Sequence, residues 1–483
     1  MTVVVLLAAG RGVRMRSTRP KVLHEAAGRP LLDRALDVAL AVAGDPSNVV
    51  AVVSRKDSER DSDSERDSSK GRGTVGGYLA ANHPRVRVAV QDPPRGTGDA
   101  VRAAFASGAL GKGKAADVVV VLSADVPLLS ADAVKGLVGA LKKDGKAAVA
   151  VLTATVDDPT GYGRIVRDGK KRFLRIREER DSSSQEKGVR EINTGTYAFD
   201  RAFLESALPR LSSKNSQNEF YLTEVLSRAL QAKRKVLTLE GDPSSSLGVN
   251  SREDLATVER LLRERAVIAA MRGGATILRP ETVTLDEGVV LCEDTTLEPF
   301  VTLLGRTVVG QGTVIGQGSI VRDAVIGTNV TIRPYCVIES AAIGDGSVVG
   351  PFARLREGTD LAAGVHVGNF VETKKAKLGE GVKANHLTYL GDAEIGPRTN
   401  VGAGVITCNY DGFGKHRTTI GADVFVGSDT QLVAPVTVGD GAIIGAGTTV
   451  TKDVPKDALA VSRAPQENRE GAGAAYRKRK KKP

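Results

Sequence analysis

The segment VVGQGTVIGQGSIV, Val308–Val321, contains the repeat that decides the fold of the C-terminal half of this chain. An aliphatic residue followed by glycine stands at Val309 and again at Ile315, and Val321 continues the series after another six residues. A six-residue period is typical of a parallel β-helix, in which each repeat forms one short strand. The pattern predicts that the aliphatic side chain points into the coil and that glycine permits the tight corner.

The same rhythm extends to Val450, in steps of six residues or multiples of six with a few steps of five. The predicted inward positions are Val309, Ile315, Val321, Ile326, Ile332, Ile338, Ile343, Val349, Leu355, Leu361, Val367, Leu378, Leu390, Ile395, Val401, Ile420, Val426, Leu432, Val438, Ile444 and Val450. The rhythm stops between Val401 and Ile420, so Gly402–Thr419 is predicted to leave the coil as a loop. An insertion in a regular solenoid is where function usually lies.

The N-terminal half has a different pattern, in which β-branched runs of strand length alternate with amphipathic stretches. These runs are Val3–Leu7, Val49–Val53, Val86–Val90, Val118–Leu122 and Ala147–Thr153. The alternation predicts an α/β domain with a mostly parallel sheet over residues 1–252, whose ligands bind beyond the carboxyl ends of the strands. Apolar residues at helical spacing over 253–273 predict a linker helix. Residues 274–483 are left for the β-helix domain and a basic tail.

Composition limits the class of protein further. The chain of 483 residues carries a net charge of +11, and the run Arg477–Lys482 supplies six cations, which predicts a solvated, disordered tail. Ser54–Gly73 contains only serine, glycine and charged residues, which predicts a disordered insertion. No aromatic residues interleave with the basic run, so specific nucleic-acid binding is not expected.

The N-terminus and the cysteines predict a cytoplasmic protein. The apolar run Val3–Ala9 is too short to cross a bilayer, and no basic segment precedes it, so we expect no secretory signal and no membrane span. The three cysteines, Cys292, Cys336 and Cys408, have neither the number for a disulfide framework nor the spacing of metal ligands.

Three loops at predicted strand ends have the composition of a nucleotide site. After the first strand come Gly10 and Gly12, which allow close approach to a phosphate, and then Arg14 and Lys21. Gln91 ends another strand and is followed by Gly96-Thr97, and Ser123-Ala124-Asp125 follows a third. Mg²⁺ suits an aspartate beside nucleotide phosphates, although an aspartate that only caps the next turn and a purely structural glycine turn remain alternatives.

The β-helix region contains residues suited to acid–base chemistry. Glu372, Lys374, His386 and Tyr389 supply an acid, a cation, a base and a hydroxyl within 18 residues, about one turn of the coil. Arg356 adds a second cation that suits a phosphate. We expect these side chains to stack in adjacent coils, with His386 as a proton acceptor and Glu372 orienting its ring.

Leu7–Met15 together with Lys21 resembles the signature of sugar-1-phosphate nucleotidyltransferases. The region Gly350–Arg463 resembles the bacterial family of bifunctional N-acetylglucosamine-1-phosphate uridyltransferases and glucosamine-1-phosphate acetyltransferases, and the resemblance covers all but Ser54–Gly73 and the tail. It implies an α/β, Rossmann-like nucleotidyltransferase domain, a linker helix and a left-handed parallel β-helix of hexapeptide repeats. It also implies cytoplasmic synthesis of UDP-N-acetylglucosamine, a cell-wall and lipopolysaccharide precursor, from UTP, acetyl-CoA and glucosamine-1-phosphate, with Mg²⁺, by a homotrimer.

The resemblance assigns roles to residues that match the family's motifs. It places at the UDP-sugar and nucleotide site Leu7, Ala8, Ala9, Gly10, Arg14, Lys21, Gln91, Gly96, Thr97, Ser123, Ala124, Asp125, Gly163, Glu178, Asn193 and Asn250, of which Gly163, Glu178 and Asn193 would contact the sugar. It makes Asp125 and Asn250 the Mg²⁺ ligands and His386 the catalytic base. It assigns the amino-sugar phosphate to Arg356, Lys374, Tyr389 and Asn400, and acetyl-CoA to Ala403, Asn409, Tyr410, Ser428, Ala446 and Arg463. Ala124 and Asn385 stand where other members have glycine.

Three other functions remain to be distinguished. A nucleotidyltransferase whose β-helix is only regulatory or oligomerising leaves the His386–Tyr389 motif unexplained. A trimeric β-helix carbonic anhydrase binds zinc with three histidines, for which His366, His386 and His416 are candidates. A scaffold without enzymatic activity leaves both sets of motifs without a role.

Overall fold

The computed structural model describes residues 1–10, 12–58, 73–110 and 117–480. The chain divides into two compact units, Met1–Leu262 and Arg263–Pro483. The predicted linker is an α-helix, Arg252–Arg272, and the division between the units falls within it. The two units are described separately below as the first unit and the second unit.

The first unit is an α/β domain built on a central sheet. Its strands are β1 (Thr2–Leu7), β2 (Glu25–Ala26), β3 (Arg29–Pro30), β4 (Val49–Ser54), β5 (Arg87–Gln91), β6 (Val118–Ser123), β7 (Ala147–Thr155), β8 (Gly163–Arg167), β9 (Phe173–Arg177), β10 (Glu191–Asp200) and β11 (Lys235–Glu240). The main path through the sheet is β11-β7-β10-β6-β1-β4-β5. Strands β6, β1, β4 and β5 are parallel, so their carboxyl ends share one edge, whereas β10 is antiparallel to β6 and β7.

Helices cover both faces of this sheet. The helices of this unit are α1 (Leu31–Ala43), α2 (Val75–Asn82), α3 (Thr97–Ala106), α4 (Ala131–Asp144), α5 (Ser184–Lys187), α6 (Arg201–Ala207) and α7 (Glu224–Gln231), followed by α8 (Arg252–Arg272). The short α5 buries none of its residues. Successive residues of β1 enter different cores: Val4 and Leu6 pack in one, Val3 and Val5 in the other. This alternation is what a strand buried on both faces requires.

The second unit is a left-handed parallel β-helix. Its strands are β12 (Thr276–Ile277), β13 (Thr284–Leu285), β14 (Val290–Leu291), β15 (Thr296–Leu297), β16 (Thr302–Leu304), β17 (Val308–Val309), β18 (Val314–Ile315), β19 (Ile320–Arg322), β20 (Val325–Ile326), β21 (Thr331–Ile332), β22 (Val337–Glu339), β23 (Ala342–Ile343), β24 (Val348–Val349), β25 (Arg354–Leu355), β26 (Asp360–Leu361), β27 (His366–Lys374), β28 (Lys377–Leu378), β29 (Lys383–Gly391), β30 (Ala393–Ile395), β31 (Asn400–Val401), β32 (Ile406–Cys408), β33 (Thr418–Ile420), β34 (Phe425–Val426), β35 (Gln431–Val433), β36 (Val436–Val438), β37 (Ile443–Ile444), β38 (Thr449–Val450) and β39 (Leu459–Ala460). Every inward position predicted from the six-residue rhythm is at most 4% exposed, which confirms the repeat.

The predicted loop Gly402–Thr419 is wrong at both ends. Strands β32 and β33 remain in the coil, and only residues 409–417 leave it. Thr407 takes the inward position, paired with Leu432 of the next coil, and its hydroxyl accepts a hydrogen bond from the Gly391 N–H at 2.7 Å. A buried threonine can take an inward position when its hydroxyl is hydrogen-bonded to the backbone, and a pattern of aliphatic residues does not indicate it. We call residues 409–417 the excursion.

The structure also contradicts part of the disorder predicted for Ser54–Gly73 and for the basic tail. Ser54 ends β4, and Arg55–Ser58 form a turn in which the Ser54 hydroxyl donates to Asp57 at 2.6 Å, so the predicted disordered insertion is wrong at its start. The remainder of that prediction, residues 59–72, lies outside the described residues. The predicted disorder of the basic tail is wrong up to Lys480, because Ala472–Lys480 forms an exposed helix, α9, rich in alanine, arginine and lysine, which have high helix propensity. Lys481 and Lys482 lie outside the described residues. Across the described residues, the helices lack either the length or the apolar content that a bilayer crossing demands.

Candidate functional sites

A cleft of about 480 Å³ opens at the carboxyl ends of β1, β5 and β6 in the first unit. Ten residues of the predicted nucleotide set line it: Leu7, Ala8, Ala9, Gly10, Lys21, Gln91, Gly96, Thr97, Ser123 and Asp125. Six members of that set do not line it. Ala124 is buried with its N–H donated to the Leu7 carbonyl at 3.0 Å, Arg14 is exposed on the turn Val13–Met15, and Gly163, Glu178, Asn193 and Asn250 are described below. The sheet edge therefore assembles most of the predicted cleft.

Gly12 determines where Lys21 lies in this cleft. Gly12 has a φ of +56°, and a Cβ added to it would lie 2.8 Å from the Cβ of Lys21. Only glycine allows both the left-handed conformation and this approach without strain. The turn that follows brings the buried Lys21 side chain to the floor of the cleft.

Lys21, Asp125 and Asn250 meet although they are far apart in sequence. The Lys21 ammonium contacts Asp125 Oδ2 and donates to Asn250 Oδ1 at 3.1 Å. The Ser123 hydroxyl donates to the second carboxylate oxygen, Asp125 Oδ1, at 2.6 Å. The Asp125 carboxylate and the Asn250 amide oxygen thus both contact the Lys21 ammonium. The same two oxygens also suit Mg²⁺, which commonly takes one or two protein oxygens and completes its shell with water and phosphate oxygens.

Part of the cleft wall is formed by residues 219–220, which no sequence motif indicates. The Gln91 amide donates to the Gly96 carbonyl and to Asp99, each at 3.0 Å, and so holds the loop between them. The Gly98 N–H donates to the Phe220 carbonyl at 2.7 Å, and the neighbouring Glu219 lines the cleft. Residues 219–220 carry no motif, and they reach the cleft only through tertiary folding.

Gly163, Glu178 and Asn193 form a separate group beside the sheet. Asn193 pairs with Gly163 across β10 and β8, and a Cβ on Gly163 would lie 3.4 Å from Glu178 Oε2. Burial raises the pKa of Glu178, and the Thr223 hydroxyl donates to its carboxylate at 3.0 Å. The structure therefore brings together the three residues predicted at the sugar.

In the second unit, the coil places several predicted residues in one row. The inward residues Ala384, Val401, Val426 and Ile444 pair from coil to coil. Two positions after each of them stand His386, Ala403, Ser428 and Ala446. We call these four residues the corner row. Adjacent strands lie about 4.8 Å apart, so the row extends about 15 Å along the coil. Arg463 lies at its end and donates to the Ala446 carbonyl at 2.5 Å.

The partner of His386 differs from the prediction. Its Nδ1 lies 3.2 Å from Oδ1 of Asn369, which is directly opposite it in the register between β27 and β29. Glu372 lies opposite Tyr389 instead, and it accepts a hydrogen bond from Arg356 at 2.9 Å. The expectation that Glu372 orients the imidazole is therefore wrong, because the strand register places the two side chains at different positions along β27 and β29.

The residues predicted at the amino-sugar phosphate are only partly together. Arg356 directly follows β25, Lys374 ends β27 and Tyr389 lies on β29. The backbone N–H of Arg356 donates to the Thr373 carbonyl at 2.9 Å. Asn400 stands on β31 opposite Lys383, before the corner that carries His386. The first three residues thus form one cationic face, and Asn400 lies on a different part of the coil.

The excursion is stabilised by contacts among its own residues. Lys415 lies over the Tyr410 ring, 4.5 Å from its centroid, and His416 Nε2 lies 2.7 Å from Asp411 Oδ2. Backbone N–H groups of Gly414 and Phe413, followed by His416, lower the pKa of Asp411. Asn409 is buried and its amide contacts Asp392, while Tyr410 is exposed. In the described part of the chain, no group of three or more His, Cys, Asp or Glu side chains is placed to bind a metal ion.

Comparisons with known proteins agree with both halves of this architecture. Residues 4–191 match the MobA-like NTP transferase domain, residues 281–378 the GMPPB C-terminal domain and residues 417–452 the bacterial transferase hexapeptide model of six repeats. The chain is 43% identical over 477 residues to the bifunctional protein GlmU of Sorangium cellulosum, which covers 99% of this chain and 97% of the relative. It is 44% identical over 469 residues to that of Pelobacter propionicus (97% of each chain). It is 46% identical over 469 residues to that of an Anaeromyxobacter species (97% of this chain, 91% of the relative).

Proposed function

Because this chain belongs to the family of bifunctional GlmU proteins, we propose that each compact unit carries one of two consecutive reactions at the site described above. The enzyme acetylates glucosamine-1-phosphate with acetyl-CoA, and it couples N-acetylglucosamine-1-phosphate to UTP to give UDP-N-acetylglucosamine and pyrophosphate. We assign the uridyl transfer to the cleft around Lys21 and Asp125. We assign the acetyl transfer to the corner row and the cationic face beside it.

In the first unit, the sugar-phosphate oxygen attacks the α-phosphorus of UTP and pyrophosphate leaves. Asp125 and Asn250 would hold Mg²⁺, which when bound neutralises charge on the phosphates. Lys21, held between these two residues, supplies a fixed positive charge at the floor of the cleft. Gly163, Glu178 and Asn193 bind the sugar. The turn at Gly10 and Gly12 admits the phosphates close to the backbone.

In the second unit, the amine of glucosamine-1-phosphate must lose a proton before it can attack the thioester. His386 accepts that proton, and the amine then attacks the acetyl carbonyl and expels CoA thiolate. The backbone N–H of Ala403, one coil away, stabilises the developing oxyanion. Arg356, Lys374 and Tyr389 bind the sugar phosphate, and Asn400 contributes to the same site from β31.

The observation that carries this proposal is the corner row itself. An elongated thioester that lies along Ala403, Ser428 and Ala446 toward Arg463 presents its acetyl end to His386. The register along β29, β31, β34 and β37 alone puts these residues in line. Asn409 and Tyr410 of the excursion would contact the same ligand from the side.

A single incubation tests the overall reaction. The purified chain is mixed with glucosamine-1-phosphate, acetyl-CoA, UTP and Mg²⁺, and products are followed by mass spectrometry. We expect UDP-N-acetylglucosamine, CoA and pyrophosphate in equal amounts. Formation of free N-acetylglucosamine-1-phosphate without the nucleotide sugar, or no consumption of acetyl-CoA, contradicts the proposal.

We also propose that the chain works as a homotrimer through its β-helix. Phe300, Tyr335, Phe352, Phe370 and Leu387 occupy equivalent corner positions and are 48% to 65% exposed. The rings of Tyr335, Phe352 and Phe370 stack with centroids 5.4 and 5.5 Å apart, and Leu387 follows His386 directly. Such a stripe suits burial against other copies, whose excursions would then complete the acetyl-transfer site. Light scattering that finds an active monomer of 50.6 kDa contradicts this assembly.

A further inference from the structure

The contact between Asn369 and His386 has a chemical consequence beyond packing. The two side chains occupy the same position in adjacent coils, and Asn369 Oδ1 lies 3.2 Å from His386 Nδ1. The coils approach closely just before this pair, because a Cβ on Gly368 would lie 1.8 Å from the Asn385 carbonyl oxygen. The fold therefore holds the amide oxygen against one particular ring nitrogen.

An amide oxygen only accepts hydrogen bonds, so the imidazole nitrogen that faces it must carry the hydrogen. In neutral imidazole the other nitrogen, Nε2, then has the lone pair, and only that atom accepts a proton. We propose that Asn369 is a positioning residue for acetyl transfer, which fixes the tautomer and the orientation in which His386 acts as a base. This inference rests on the proposed function, specifically on the assignment of His386.

The groups around His386 explain why an uncharged acceptor matters. Arg333 and His366 line the same pocket of about 220 Å³, and Lys383 stands on the same strand as His386. Glu372, the nearby acid predicted to orient the imidazole, accepts a hydrogen bond from Arg356 instead. Asn369 therefore orients the ring without adding a negative charge that would favour imidazolium and leave less free base.

Three variants test this role in the full-length enzyme. Asn369→Leu removes the acceptor and retains a side chain of similar size. Asn369→Asp restores an acceptor that carries charge. Gln311→Leu is the control, because Gln311 also follows an inward residue, Val309, by two positions, and its amide bonds Asp294 at 3.3 Å in a distant coil.

We expect Asn369→Leu to lower kcat for acetyl transfer about 10- to 100-fold, by analogy with the loss of a hydrogen-bond partner that orients a metal-ligating histidine. Asn369→Asp should recover most of that loss and move the acid limb of the kcat/KM profile to higher pH, because the carboxylate stabilises imidazolium. Uridyl transfer from supplied N-acetylglucosamine-1-phosphate should stay unchanged in all three variants, and Gln311→Leu should retain acetyl transfer.

Equal losses in Asn369→Leu and Asn369→Asp with an unchanged pH profile overturn the inference, as does full activity of Asn369→Leu. His386→Ala is measured in parallel. If His386→Ala is inactive in acetyl transfer while Asn369→Leu is fully active, only the positioning role fails. If His386→Ala retains acetyl transfer, the assignment of the base fails, and the inference fails with it. Should Asn369→Leu not fold, the pH profile of Asn369→Asp alone decides.

Discussion

The two units assemble their sites in different ways. In the first unit, Lys21, Asp125 and Asn250 come from the turn Lys21–Leu23, the loop after β6 and the segment before α8, and they meet only through tertiary folding. In the second unit, His386, Ala403, Ser428 and Ala446 repeat one position of a coil. A solenoid therefore encodes its site in sequence spacing, whereas the α/β unit encodes its site in tertiary topology.

The two sites also differ in how their charged groups are arranged. The first site holds a buried ammonium against a carboxylate and an amide, so its cation has two fixed partners. The second site spreads Arg356, Lys374 and Tyr389 along one face and has His386, the proposed base, at the neighbouring corner. A variant that removes charge should therefore harm one reaction and leave the other intact.

A large effect should follow Lys21→Ala. Uridyl transfer should fall about 100- to 1,000-fold, because a preorganised positive charge is lost where negative charge develops. Acetyl transfer should remain within about twofold of the parent enzyme, since Lys21 contacts Asp125 and Asn250 of its own unit. Both half-reactions are measured separately by pyrophosphate release and by CoA release.

The matched control for this variant is Lys142→Ala, which removes an exposed lysine from α4 in the same unit. It should leave both rates unchanged. An equal loss of uridyl transfer in Lys142→Ala and Lys21→Ala, or a loss of acetyl transfer in Lys21→Ala, contradicts the assignment of one reaction to each unit.

A smaller effect tests the repeat itself through Thr407→Val. The six-residue pattern favours an aliphatic residue here, yet the Thr407 hydroxyl accepts from the Gly391 N–H at 2.7 Å and donates to the Gly391 carbonyl at 3.0 Å. Valine leaves a buried N–H without its acceptor, so we expect a loss of about 1–3 kcal/mol in the free energy of unfolding of the second unit. Urea denaturation measures this difference, and a more stable variant shows that the aliphatic pattern governs even this position.

The smallest effect concerns the reactivity of the cysteines, all of which lie in the second unit. Cys292 is exposed and Cys336 is buried, and burial raises the pKa of Cys336 to about 11. At pH 8 a thiol reagent should modify Cys292 first, and Cys336 only after unfolding, because the reactive species is the thiolate. Peptide mass spectrometry follows the time course, and equal rates at the two positions mean that the interior of the coil is open.

The sequence predicts those parts of the molecule that repeat or end a strand. The inward positions from Val309 to Val450 are correct because a coil tolerates little variation in size and spacing at its interior. Most of the cleft follows from the rule that parallel strands present their carboxyl ends together. Glu219 and Asn369 escape prediction because one reaches its site only through tertiary folding and the other depends on strand register.

Two errors have simple physical origins. The six-residue pattern assigns Thr407 to a loop, whereas a hydroxyl that is hydrogen-bonded to the backbone can replace an aliphatic group inside the coil. The charge of the tail predicts disorder, whereas Ala472–Lys480 consists largely of strong helix formers. In both places local chemistry outweighs the pattern used for the prediction.

The independence of the two sites is tested most directly by a pair of variants, His386→Ala and Asp125→Ala. His386→Ala should lose acetyl transfer by about 10²- to 10⁴-fold and keep uridyl transfer from supplied N-acetylglucosamine-1-phosphate. Asp125→Ala should show the opposite losses, and a mixture of the two should restore the complete conversion because the intermediate diffuses between them. If either substitution abolishes both half-reactions in a protein that remains folded, the account of one site in each unit is contradicted.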